Sequence, residues 1–400
     1  MQKTLINKAV IEENKREFNI ELPIIKKEEQ KESSRCWIYA GINFLKYDIS
    51  KKLKCNINQI ELSYNYISFF DKLEKFNSIY EIVIDEEDVD ISNIFKIGIT
   101  ETGYWIYFIE IIEKYGLVPL CTMPENINSY NSDMLLKILN EKLKKDIFEL
   151  LKKKKCYNKE KMMELKENKL FEVYNILAKT IGEPKFNFDY SYTNNNGEKI
   201  VLENITPNQF KEKITTNNLR DYISVASFDM ENKQYYKKYE NKFYQDIYRL
   251  TYPTYINIPV NELKELTIKQ LKDGIAVRFS SEIRKDIDNE NGIMDCRIYN
   301  YNKVLPNQRL SKKELLESKE SFAAHAMVFS GVHIENNKPV RWKVEDTRST
   351  SRNYKGSYVM NDNFFDNYVY AVYIHKKYLN TKQIEAYNSD AIQVDIDDVF

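Results

Sequence analysis

Apolar residues at helical spacing dominate the first 181 positions, and strand-like runs follow them. After the polar run Gln30–Arg35, the apolar set Trp37, Ala40, Ile42, Phe44 and Leu45 predicts a half-buried helix that fades near Asp48–Ser50, with Ser33 or Ser34 as its cap. Leu62, Tyr66, Phe69, Phe70 and Leu73 share one face of a second helix. Trp105, Phe108, Ile109 and Ile112 predict a third, stopped by Gly116 and Pro119. Positions 131–181 are helical almost throughout, with one stripe on Leu135, Ile138, Leu139, Leu143 and Ile147 and another on Leu170, Val173, Ile176 and Leu177. Phe186, Phe188, Tyr190 and Tyr192 then alternate, and Asn196-Gly197 turns the chain back through Ile200–Leu202 as a hairpin. A short helix starts at Thr206-Pro207, and 220–258 reads as strands and loops. Val260–Lys272 is a helix, and Ile275–Phe279 an apolar strand. An apolar strand follows His325, Val340–Lys343 forms another, and a last short helix spans Thr381–Tyr387. Helices first and strands later predict an α+β fold.

Composition narrows the picture. Sixty basic and sixty acidic residues cancel, so no net field points to nucleic acid or an anionic membrane. The run Lys152–Lys155 is flanked by Glu149, Glu160 and Glu164 and reads as a solvated face rather than a nucleic-acid patch. The five cysteines, at positions 36, 55, 121, 156 and 296, are odd in number and scattered. That predicts no disulfide framework and a reducing compartment. No CxxC pair suggests a zinc site, and no metal or cofactor is expected. The amino end carries no continuous apolar run, and no window holds the ~18 apolar residues of a spanning helix. A cytoplasmic protein is the expectation. The segments are drawn as an arm over 1–29, a helical half with the nucleophile over 30–125, a mostly helical insertion with a hairpin over 126–255, a β-rich half over 256–376, and a carboxyl-terminal arm over 377–400.

Cys36 is the candidate nucleophile. It falls in the first turn of a buried helix, where the helix dipole favours a thiolate, although a lone cysteine on a helix is ordinarily an inert core residue. Gln30, six residues earlier, can turn its amide back and share an oxyanion with the Cys36 N–H. Of the three histidines, 325, 333 and 375, only His325 lies among small residues, Ala323-Ala324-His325-Ala326. The pattern histidine, strand, turn, strand, carboxylate brings Asp346 beside His325. Nucleophile, base and orienter then occur in the chain order Cys36, His325, Asp346.

Gln30–Ala40 resembles the active-site segment of papain-like cysteine peptidases, and within them the bleomycin hydrolase or aminopeptidase C group, whose Ser-Gly-Arg-Cys-Trp stands here as Ser33-Ser34-Arg35-Cys36-Trp37. Lys114-Tyr115-Gly116, Gly182-Glu183-Pro184, Lys355-Gly356-Ser357-Tyr358 and Phe365-Asp366-Asn367-Tyr368 extend the similarity over nearly the whole chain. The resemblance implies a papain-like fold with a helical insertion and an intracellular cysteine aminopeptidase that cleaves short peptides with a free amino end. It implies that Gly103 presents its backbone to substrate and that the carboxylate of Phe400, with Asp398 near it, meets the substrate's amino group. It also implies a homohexameric ring. Two departures stand out, because the family's Asn-Ser-Trp-Gly is Asp346-Thr347-Arg348-Ser349 here. Arg348 drawing Asp346 off His325 would mark the rival reading, a catalytically impaired relative acting as a binding or ring-forming protein.

Overall fold

The computed structural model describes residues 5–216, 218–242, 251–303, 309–348, 356–394 and 398. The arm holds helix α1 (Lys8–Glu13) and strand β1 (Ile20–Glu21). Helix α2 (Cys36–Leu53) follows and makes Cys36 its first residue. The serine cap expected here does not form, because Arg35 and neither serine occupies the N-cap position. The Ser33 hydroxyl donates to the Gln30 carbonyl at 2.7 Å, and the Ser34 N–H donates to Glu101 at 3.0 Å. Helix α2 also outruns its predicted end and stops where Lys54 turns left-handed, at φ 48°. Ser63 does cap the next helix, α3 (Tyr64–Asp85), by accepting from the Tyr66 N–H.

A short helix that the apolar spacing did not announce, α4 (Ile91–Ile97), comes next, with no residue fully buried. Helix α5 (Trp105–Tyr115) ends at Gly116, whose φ of 79° and contact with the Pro207 backbone leave no room for a side chain. The long helical stretch is two helices, α6 (Asp133–Lys154) and α7 (Lys159–Ile181), both against α3. The hairpin follows as β2 (Phe188–Thr193) and β3 (Lys199–Ile205). Helix α8 (Pro207–Ile214) starts on a Thr206/Gln209 capping box.

The rest of the chain builds one large sheet. Its strands are β4 (Tyr222–Ala226), β5 (Lys237–Glu240), β6 (Thr254–Asn257), β7 (Val277–Ser281), β8 (Ile287–Asp288), β9 (Ile293–Met294), β10 (His325–Glu335), β11 (Lys338–Glu345), β12 (Ser357–Asn361), β13 (Val369–His375) and β14 (Ala391–Gln393). The order is β14-β5-β6-β4-β13-β7-β10-β11-β12-β9-β8, and β1 pairs with the later part of β10. Helix α9 (Val260–Lys272) packs on β13 and β10. Helix α2 lies on β10 and β7, and its Ile38, Ile42 and Leu45 are fully buried. One apolar core therefore runs from the helices into the sheet. The α+β architecture matches the expectation. Among the described residues no helix is long and apolar enough to cross a membrane.

Candidate active site

The helix start delivers Cys36 and the sheet delivers the other two groups. Strands β10 and β11 are antiparallel, with Val328 opposite Glu345. Continuing that register sets Asp346 opposite Met327, on the face His325 shares, because side chains two apart on a strand point the same way. His325 Nε2 lies 2.7 Å from Asp346 Oδ1, with His325 5% and Asp346 1% exposed. Nδ1 is left for the sulfur, and the Cys36 thiol and the imidazole are hydrogen-bonded. The three residues aligned from the sequence do meet.

The charges support one another. Burial alone would raise the Cys36 thiol. The His325 charge and hydrogen bond, the Ala326 N–H and the Arg278 guanidinium outweigh it and hold the thiol below its usual range. Burial alone would lower His325, but Asp346 and Cys36 outweigh it and raise the imidazole to about 9. Burial disfavours the Asp346 carboxylate as well, yet His325 and Arg348 hold it well below the usual carboxylate range. The resting state is thus a thiolate–imidazolium pair whose titration belongs to both groups. Iodoacetamide is expected to alkylate Cys36 rapidly at pH values where an ordinary thiol is protonated. His325→Ala should move that pH–rate profile up towards an unperturbed cysteine, and an unmoved profile would contradict the pair.

Arg348 does bond to Asp346, but through the other oxygen. Its Nε donates to Oδ2 at 3.0 Å while Oδ1 stays with His325 and also accepts the Thr347 N–H at 2.8 Å. The carboxylate is shared, so the arginine steadies the orienter and does not draw it away.

Gln30 is buried and stitched to the residue after Asp346. Its backbone N–H donates to the Thr347 carbonyl at 2.9 Å, and its Oε1 accepts from the Thr347 hydroxyl at 3.1 Å. Its amide nitrogen gives one hydrogen to the Ser33 carbonyl at 2.8 Å, and an amide has two. Gly103 lies against the Trp37 indole, where a Cβ would come within 2.6 Å, and it lines the cleft. Phe400 lies outside the described residues. Asp398 is not open to a substrate amine, because it is ion-paired at 2.6 Å with buried Lys233. The Lys233 ammonium sits 4.4 Å from the Phe228 ring centre and 5.0 Å from that of Tyr255. Ala323, which packs on that aromatic cluster, also lines the cleft.

Sequence reading missed the ionic floor beneath the nucleophile. Glu101 accepts from the Ser34 N–H and from Lys72 at 3.1 Å, its backbone carbonyl accepts from Trp37 Nε1 at 2.6 Å, and Arg35 bridges on to Glu125 at 2.7 Å. These charges look like surface residues in the sequence, but Arg35, Lys72 and Glu101 are all buried. Glu101→Ala strands Lys72 without its carboxylate and is expected to cost about 3–5 kcal/mol. A fall in the urea midpoint at unchanged slope checks this, and an unchanged midpoint would contradict it.

The triad opens into a cleft of about 500 Å³ between the helices and the sheet, lined by Cys36, Trp37, Tyr104, Arg278, Ser280 and His325 among others. A family model described as the Peptidase C1-like family matches residues 1–400. The chain is 33% identical over 378 residues to Aminopeptidase C of Lactobacillus helveticus, covering 93% of this chain and 84% of that one. It is 34% identical over 381 residues to Aminopeptidase C of Listeria innocua serovar 6a, covering 94% and 86%. The solved structure of PepW from Lactobacillus rhamnosis HN001 superposes with a TM-score of 0.92 at 32% identity, covering 98% of this chain and 90% of that one.

Proposed function

This chain belongs to the Peptidase C1-like family, and we propose on that premise that it is a cysteine aminopeptidase hydrolysing short peptides through a thioester. The observation that carries the chemistry is His325 held between Asp346 and the Cys36 sulfur.

In this mechanism the Cys36 thiolate attacks the scissile carbonyl carbon. The developing oxyanion takes hydrogen bonds from the Cys36 N–H at the start of α2 and from the second amide hydrogen of Gln30. The His325 imidazolium gives its Nδ1 proton to the leaving amine as the C–N bond breaks, which leaves a thioester on Cys36. Neutral His325 then takes a proton from water, the resulting hydroxide attacks the thioester carbonyl, and the acid leaves as the thiolate re-forms. Asp346 holds the ring through Nε2 in both halves. We assign Gly103 to the backbone of the bound substrate and Phe400 to its amino group. The Lys233–Asp398 pair supports the second assignment by mooring the chain two residues before Phe400, beside the cleft wall.

The finer features, a cytoplasmic homohexamer of the bleomycin hydrolase type, belong to the same proposal, and light scattering of the purified chain tests the hexamer. The rival of an impaired binding protein is not favoured, because the Arg348 bond leaves the His325–Asp346 contact intact. Fluorophore release from aminoacyl-coumarin amides with free and with blocked amino groups tests the aminopeptidase reading. Release from the free substrates alone is expected, and equal release from blocked ones would overturn the assignment of the amino end.

A further inference from the structure

Arg278 is the second residue of β7, is 2% exposed, and lines the cleft with Ser280 and Tyr373. Its guanidinium lies 4.2 Å from the Tyr373 ring centre and 5.5 Å from that of Trp105. These ring contacts use none of its five N–H donors. Nε and Nη1 are buried and make no hydrogen bond, and no carboxylate among the described residues pairs with the side chain. Lys75, another cation on the cleft wall, is matched. It pairs with Asp71 at 3.0 Å and donates to the Thr100 and Thr102 carbonyls. The small side chains Ala324 and Ala326 line the same cleft.

We propose that Arg278 makes this part of the cleft a carboxylate-binding subsite. A buried guanidinium held against two aromatic rings, with unused donors, is a receptor for a carboxylate, which a guanidinium grips through two parallel hydrogen bonds. A buried charge without a partner is unfavourable, and a carboxylate relieves it. The inference rests on the aminopeptidase reading of this cleft and adds to it. A substrate ammonium entering beside Cys36 would meet a bare cation, and a carboxylate lying between the two satisfies both. That carboxylate comes either from the ligand, on the group preceding the scissile residue, or from the chain itself.

The test uses the full chain carrying Cys36→Ala, so that ligands stay intact, with and without Arg278→Gln. Calorimetry measures binding of leucine amide, acetyl-leucine amide and succinyl-leucine amide. With Arg278 present, one charged ligand should bind at least about tenfold more tightly than the acetyl compound. Succinyl-leucine amide marks a ligand carboxylate as the occupant, and leucine amide marks a carboxylate of the chain. Arg278→Gln should erase the preference. Arg278→Met, which keeps the stem on Tyr373, decides the matter where the glutamine variant does not fold. Three ligands that bind alike with Arg278 in place, or a preference that survives both variants, overturn the subsite. Turnover of free aminoacyl-coumarin amides by the unmodified chain scores the aminopeptidase reading separately.

Discussion

Cys36→Ala and His325→Ala are each expected to lower amide turnover by about 10⁶-fold, and the double variant is expected to lose no more than either alone. The sulfur and the imidazole act as one unit. Each is charged because the other is, and neither chemical half-reaction proceeds without both. Removing the sulfur leaves nothing to form the thioester. Removing the ring takes away the charge and hydrogen bond that most favour the thiolate and leaves the leaving amine without a proton donor. What remains is oxyanion stabilisation and substrate binding, which alone accelerate hydrolysis only modestly. Losses that add in the double variant would show that the two residues act independently. Each variant should keep its fold, because Cys36 is only partly buried and His325 is the first residue of its strand.

Asp346→Ala is expected to lower kcat by about 10²–10⁴-fold and to narrow the pH profile. In the proposed mechanism Asp346 orients His325, and its carboxylate is also a main reason that the imidazole is raised to about 9. Without the carboxylate the imidazolium loses its proton at lower pH, so the alkaline limb of kcat/KM moves down. A less charged imidazole supports the thiolate less, so the acid limb moves up. Asp346→Asn keeps an oxygen for His325 but turns an NH₂ towards Arg348, whose Nε now donates to Oδ2. It should fall between the wild type and the alanine variant. An Asp346→Ala profile with an unmoved alkaline limb would mean that another group sets the His325 charge.

The legible parts of this chain were those where one local rule acts alone. Helical spacing located α3, α5, α6 and α7, and the Thr206-Pro207 start of α8 was visible because a capping box is short-range. The triad was legible because two antiparallel strands and a tight turn fix the His325–Asp346 diagonal from sequence order alone. The α2 cap failed because the helix starts at Cys36, which puts Arg35 and neither serine at the N-cap position. Helix α4 escaped notice because its isoleucines are only half-buried, and two of them, Ile94 and Ile97, line the cleft. Glu101 and Arg278 were illegible for a common reason. A charge in a sequence reads as solvated until the fold shows what encloses it. For Glu101 the partners come from distant segments, and for Arg278 no carboxylate comes from the described residues and Nε and Nη1 stay without a hydrogen bond.

The central claim is that Cys36 carries out amide hydrolysis in this cleft. The most direct measurement compares fluorophore release from a panel of free aminoacyl-coumarin amides by the wild-type chain and by Cys36→Ala, both folded and under reducing conditions. Release by the wild type that vanishes in Cys36→Ala is the predicted result. A folded wild type that releases nothing across the panel, or a Cys36→Ala variant that still turns over, would contradict it.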